Sequence, residues 1–200
     1  MQKINPVKYL YSSIFGSVVL CCVSAGAIPI EYTLTGMASG RLGTTVFANA
    51  DYTITCIANT TQIVSSGSVR SVLDTSATIS IAGVGTATIT VPFYTYDNQG
   101  DSWVGFYDGA GTYGPRLENT DFKTYALASS IGPVGGSSTT VGGGFNTTDG
   151  LFDPSSQELA TFQASTVVPD AASTLCLLGL GLMALGGFNW GVAKTMAKAG

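Results

Sequence analysis

A period of two constrains this chain more than any other feature. Between Ile30 and Thr166, Tyr32 and Leu34 alternate with threonines, and so do Tyr52, Ile54 and Cys56. Ala77-Ile79-Ile81 and Ala87-Ile89-Val91 repeat the pattern, with Thr78, Ser80, Thr86, Thr88 and Thr90 on the opposite face. Successive strand residues point to opposite sides, so this alternation describes antiparallel sheet with one wet face. No segment of the middle carries an apolar stripe at helical spacing. Breaks containing glycine at 36–40, 82–85, 98–100 and 109–114 fall at spacings suited to hairpins. The pattern predicts strands near 30–37, 41–48, 50–58, 61–72, 76–82, 86–96, 102–107, 121–128 and 157–165. Two packed sheets bury one face of so many strands, so the expected fold is all-β, an antiparallel jelly-roll-like β-sandwich. An incomplete barrel is the alternative. Segment 129–150, with seven glycines in 22 residues, reads as a surface excursion without structure of its own.

Charge separates this middle from the two ends. Only 10% of residues are charged, against roughly 25% in a typical soluble domain. All twelve acids lie between Glu31 and Asp170, together with only Arg41, Arg70, Arg116 and Lys123, which leaves that region at −8. The remaining bases are Lys3, Lys8, Lys194 and Lys198, outside two apolar runs. An acidic middle repels a phosphate backbone, which argues against nucleic acid as a partner. Lysines restricted to the flanks of apolar runs are the habit of membrane-directed chains.

The first run has the layout of a secretory leader. Lys3 and Lys8 precede an apolar stretch over 9–23, and Ala25-Gly26-Ala27 offers a cleavage site after Ala27. The last run has the layout of a span. The 23 residues between Asp170 and Lys194 carry no charge, and as a helix they would reach roughly 34 Å, enough for a hydrocarbon core of about 30 Å. Trp190 sits where an aromatic side chain would meet headgroups, and the trailing lysines direct the C-terminus inward. Three segments follow: a leader at 1–27 with a signal helix, a β ectodomain at 28–166, and a tail at 167–200 with a transmembrane helix near 171–193. Pro169 holds the chain extended before the span, and Asp170 is placed to cap its helix.

The tail VPDAAST, followed by a glycine- and leucine-rich span and then basic residues, resembles the PEP-CTERM sorting signals of Gram-negative bacteria, in the variant that begins V-P-D. Its lysines are sparser than the arginine-rich end usual in that family. The stretch YTLTGMASGRLG, 32–43, is similar to the opening of ectodomains bearing such tails. The resemblance implies recognition of Val168, Pro169 and Asp170 by an exosortase, a membrane-embedded cysteine protease. It further implies an exported, membrane-anchored protein that is released to the cell surface or the extracellular matrix after processing.

Candidate chemistry concentrates in YDNQGDSWVGFYDGAGTYGPRLENTD, 96–121. Asp97, Asn98 and Asp101 place hard oxygens around Gly100, with Asp108 further on. These residue types suit calcium, but their spacing lacks the ligand alternation of a calcium loop, and they are equally ordinary turn residues, so no metal is assigned. Trp103, Phe106, Tyr107 and Tyr113 lie in the same stretch. Aromatic faces beside carboxylates suit stacking against sugar rings, which makes Asp97, Asp101, Trp103, Tyr107 and Asp108 a candidate site for extracellular polysaccharide. Catalysis finds little support. The chain has no histidine, no nucleophile elbow, no phosphate loop and no dinucleotide fingerprint, so neither an enzyme nor a cofactor is expected, and a carboxylate-pair glycosidase ranks third. Cys56 is the one cysteine outside the apolar ends, and reads as a buried strand residue with an intermolecular bridge as the alternative.

Overall fold

The alternation becomes eleven strands among the described residues, which are 28–140 and 143–167 of a computed structural model. The leader with Ala25 and Ala27, the Val168-Pro169-Asp170 motif and the expected span lie outside the described residues. Among those described, no helix is long and apolar enough to cross a membrane.

Strands β1 (Pro29–Leu42), β2 (Thr45–Asn59), β3 (Val64–Ser66) and β4 (Val69–Ile81) are followed by β5 (Gly85–Thr88), β6 (Phe93–Asn98), β7 (Trp103–Asp108) and β8 (Tyr113–Glu118). Then come β9 (Ile131–Thr140), β10 (Phe145–Thr147) and β11 (Gly150–Thr166). Neighbours pair antiparallel in the order β1-β2-β4-β6-β7-β8-β9-β11, and β11 pairs back onto β1 from Ile30↔Thr166 to Leu42↔Phe152. Eight strands therefore close into a barrel, while β3 and β5 flank β4 and β10 flanks β11. Closure leaves the main ring without an open edge, the feature that makes sheets prone to pairing with other chains.

The expected sandwich is corrected by this closure. Two strands hand over from one ladder to the next. The first half of β4 pairs with β6 and its second half with β2, while β9 pairs first with β11 and then with β8. Such strands turn the corner between two sheets and join them at both sides. Long strands favour this, because twist accumulates along them: β1, β2 and β11 run 14, 15 and 17 residues.

An eight-stranded ring has an interior just wide enough for side chains to fill. Here Leu34, Ile54, Ile79, Val104, Phe106, Leu117 and Phe162 occupy it without measurable exposure. Aromatic pairs on neighbouring strands line it, with ring centroids 6.1 Å apart for Tyr32–Phe162 and 5.5 Å for Phe93–Phe106. Cys56 is free and buried on this inner face, out of reach of a second chain.

Segment 121–128, expected as a strand, is a plug. The short helical turn Thr120–Lys123 starts it, and Phe122, Tyr125 and Leu127 fold into the barrel end. Phe122 meets Phe162 edge-on at 5.8 Å. The Tyr32 hydroxyl donates to the Leu127 carbonyl at 2.6 Å, and Gln99 Nε2 donates to the Tyr125 carbonyl at 2.5 Å. The expected excursion at 129–150 is corrected as well: it supplies β9 and β10, and its glycines serve close backbone approach. A Cβ on Gly136 would stand 2.3 Å from the Glu118 carbonyl oxygen.

Strand directions alternate around the ring, so Pro29, Asn59, Val69, Asn98, Trp103, Glu118, Ile131 and Thr166 end or begin their strands at one rim. The plug closes this rim. Both ends of the described segment, Ile28 and Val167, lie at it, tied by a hydrogen bond from the Val167 amide to the Pro29 carbonyl at 2.8 Å.

Candidate functional site

The chemistry-bearing stretch maps onto the outer wall over β4, β6, β7 and β8. Register arranges its outward residues in rows across the strands. One row holds Leu73, Tyr94, Tyr107 and Tyr113, the next Ser71, Tyr96, Gly105 and Arg116, and the last Val69, Asn98, Trp103 and Glu118. Inward positions between them, Val72, Thr95, Val104, Phe106 and Leu117, belong to the core.

Gly105 makes the wall concave. A Cβ there would meet the Arg116 Cβ and the Pro115 carbonyl oxygen, each at 2.7 Å, so β7 and β8 approach over a position without a side chain. Neighbouring side chains lean into the gap, and Tyr96 is only 4% exposed although it faces outward. Tyr94 and Tyr107 stack at 4.9 Å, and Tyr96 meets Tyr107 and Tyr113 edge-on at 5.8 and 5.5 Å. On the other side, the Arg116 guanidinium lies over the Trp103 ring, 3.5 Å from its centroid, and Nε donates to Thr139 Oγ1 at 3.0 Å. Between these walls is a cavity of about 250 Å³ lined by Val69, Tyr96, Asn98, Trp103, Tyr113 and Arg116. Tyr113, 43% exposed, stands at its mouth.

Electrostatics within the cavity centre on Arg116. Burial pushes the Tyr96 phenol up to about 12, and the adjacent Arg116 cation pulls the other way. The buried Tyr96 hydroxyl lies beside that guanidinium without meeting hydrogen-bond geometry with any group. Among the described residues the ion pair is Arg41–Asp153, at 3.1 Å on another part of the wall. Arg116 therefore enters the cavity as a cation without a carboxylate.

The sequence-derived candidates divide. Trp103 and Tyr107 share the outer face and border the concavity. Asp97 faces the interior, is 0% exposed, and its two carboxylate oxygens have no hydrogen-bond partner. Burial pushes it up to about 7, with nearby Arg70 opposing. Asp101 accepts from Asn98 Nδ2 at 2.7 Å in the β6–β7 turn. Asp108 accepts from the amides of Ala110 and Thr112 at 3.0 and 2.7 Å, holding the β7–β8 turn at the far end of β7. Asp97 and Asp108 thus lie away from the cavity, whereas Asp101 is bonded to Asn98, which lines it. Among the described residues, no group of three or more cysteines and acids converges as a metal site.

Sequence reasoning missed Arg116 and Tyr96. Their signal was present: Tyr94, Tyr96 and Asn98 share one face by period two, and Gly105 interrupts the aromatic face of β7. Asp74 was also missed. It accepts from Thr95 Oγ1 at 2.9 Å beside Cys56, and burial pushes it up to about 8. Neither Asp74 nor Asp97 lines the cavity beside Trp103 and Arg116.

The chain matches no family model, no curated protein and no solved structure.

Proposed function

We propose that this chain is an exported bacterial envelope protein, anchored by its C-terminal span and sorted through Val168-Pro169-Asp170 to the cell surface or matrix. The observation that supports this best is that β1 begins and β11 ends at the same plugged rim, where Ile30 pairs with Thr166. A leader removed after Ala27 would leave the mature N-terminus at Ile28, one residue before β1 begins. A span beginning near residue 171 would follow β11 after only a few residues, holding the barrel at the membrane with its plugged rim inward. The exosortase is the partner this reading requires. Mass spectrometry of the secreted protein tests it. A mature species beginning near Ile28 and ending near Asp170 is expected, and one still ending at Gly200 would refute processing.

A second reading, glycan binding, is favoured by the concavity around Trp103 and Gly105. It keeps Trp103 and Tyr107 from the sequence-derived candidates and replaces the acids with Arg116 and Tyr96. Retention on immobilised polysaccharide that falls at least roughly fivefold in Trp103→Ala is the expected result, since stacking contributes about 1 kcal/mol or more. No catalytic step is assigned: the two carboxylates with raised pKa face the core, whereas a glycosidase needs two across an open cleft.

A further inference from the structure

We infer that the Trp103–Arg116 cavity takes the carboxylate-bearing sugar of an acidic polysaccharide, in preference to a neutral sugar. The inference rests on the glycan-binding reading and narrows its ligand. Three observations carry it. First, Arg116 is pre-oriented: stacking on Trp103 fixes the guanidinium plane and Thr139 fixes its Nε edge. A planar fork held this way loses little entropy on bidentate capture of a carboxylate. Second, the cation has no acidic partner among the described residues. Glu118, two residues along the same strand, stays beyond ion-pair distance. Third, the Tyr96 hydroxyl is buried in the lining beside the guanidinium and short of full hydrogen-bond geometry with it, so a ligand held by Arg116 can share this hydroxyl. Tyr113 and Trp103 supply ring surface for the body of a sugar, and about 250 Å³ suits one monosaccharide.

Charge beyond the cavity narrows the ligand further. The acidic middle of the chain, at −8, repels a densely charged polyanion within a Debye length of about 10 Å. The fitting ligand is a heteropolysaccharide in which uronate residues are separated by neutral sugars, so that a single carboxylate meets Arg116.

The test uses the full-length protein in detergent, with three probes: a polysaccharide bearing one glucuronate per repeat, its carboxyl-reduced form, and dextran. Wild-type protein is expected to bind the acidic polymer about tenfold tighter than its carboxyl-reduced form, the effect of one charge-assisted hydrogen-bond pair. Arg116→Gln removes that preference while keeping the β-sheet circular dichroism of the wild type, and Arg116→Lys restores part of it. Equal affinity for the acidic and reduced polymers overturns the acidic specificity while leaving glycan binding in place. Failure to bind any of the three overturns both. The wild-type comparison decides the matter even if a variant misfolds.

Discussion

Asp97 is the residue with the largest unmet demand in this barrel. Its carboxylate is sealed on the inner face of β6, across the ladder from Arg70, and neither oxygen is bonded. Burial raises its pKa from 3.8 to about 7, and that of Asp74 to about 8, so the folded state holds protons that the unfolded chain releases. Stability from both groups is therefore full below about pH 4 and is lost as pH rises through 7 to 8. Thermal unfolding should show a lower melting temperature at pH 8 than at pH 5, with a loss on the order of several kcal/mol. Asp97→Asn should remove part of that dependence and leave the share of Asp74, and an unchanged pH profile in this variant would contradict the assignment. Period two alone puts Asp97 on the same face as Thr95, but an aspartate in a turn-rich stretch reads as a solvent ligand. What sequence could not supply was the pairing of that face with the interior.

At the element scale, the breaks at 82–85, 98–100 and 109–114 are turns, whereas the first marks a bulge. The glycines at 36–40 lie inside β1, where register shifts against β11, and a Cβ on Gly40 would stand 2.4 Å from the Asp153 carbonyl oxygen. Gly40→Ala should force β1 and β11 apart and cost about 2 kcal/mol or more, measured by denaturant unfolding. The expected break at residue 49 is likewise a kink within β2, with Asn49 at φ 47° and its amide bonded to Ser39 Oγ. β7 was read within one residue of its bounds, because its apolar and aromatic residues alternate between clear turns. β8 and β9 were missed because glycine and proline stand where strand formers are expected, and their pairing is set by neighbours distant in sequence. The plug was misread for a related reason: Phe122, Tyr125 and Leu127 are spaced closely enough to suggest a strand. Removing the bond between plug and barrel with Tyr32→Phe should cost about 1 kcal/mol and speed hydrogen exchange in 124–130 more than in β6 and β7.

For the whole molecule, the all-β class was legible because alternation is local, whereas closure was not, because it depends on β1 meeting β11 across most of the chain. The aromatic half of the site was legible by composition. Its cationic half emerged only when β8 was set beside β7, bringing Arg116 over Trp103. The same closure brings the start of β1 and the end of β11 to one rim, the arrangement on which the envelope reading leans. Lysine positions allow a direct test of that arrangement, since Lys123 is the barrel's only lysine and is exposed, while Lys194 and Lys198 follow the proposed span. Spheroplasts of a producing cell that lacks the exosortase, so that the tail stays attached, are treated with a membrane-impermeant amine reagent and mapped by mass spectrometry. Modification of Lys123, with Lys194 and Lys198 protected until detergent is added, is the predicted result. Labelling of Lys194 and Lys198 as readily as Lys123 in intact spheroplasts, or protection of all three, would contradict an external barrel held by an inward-directed tail.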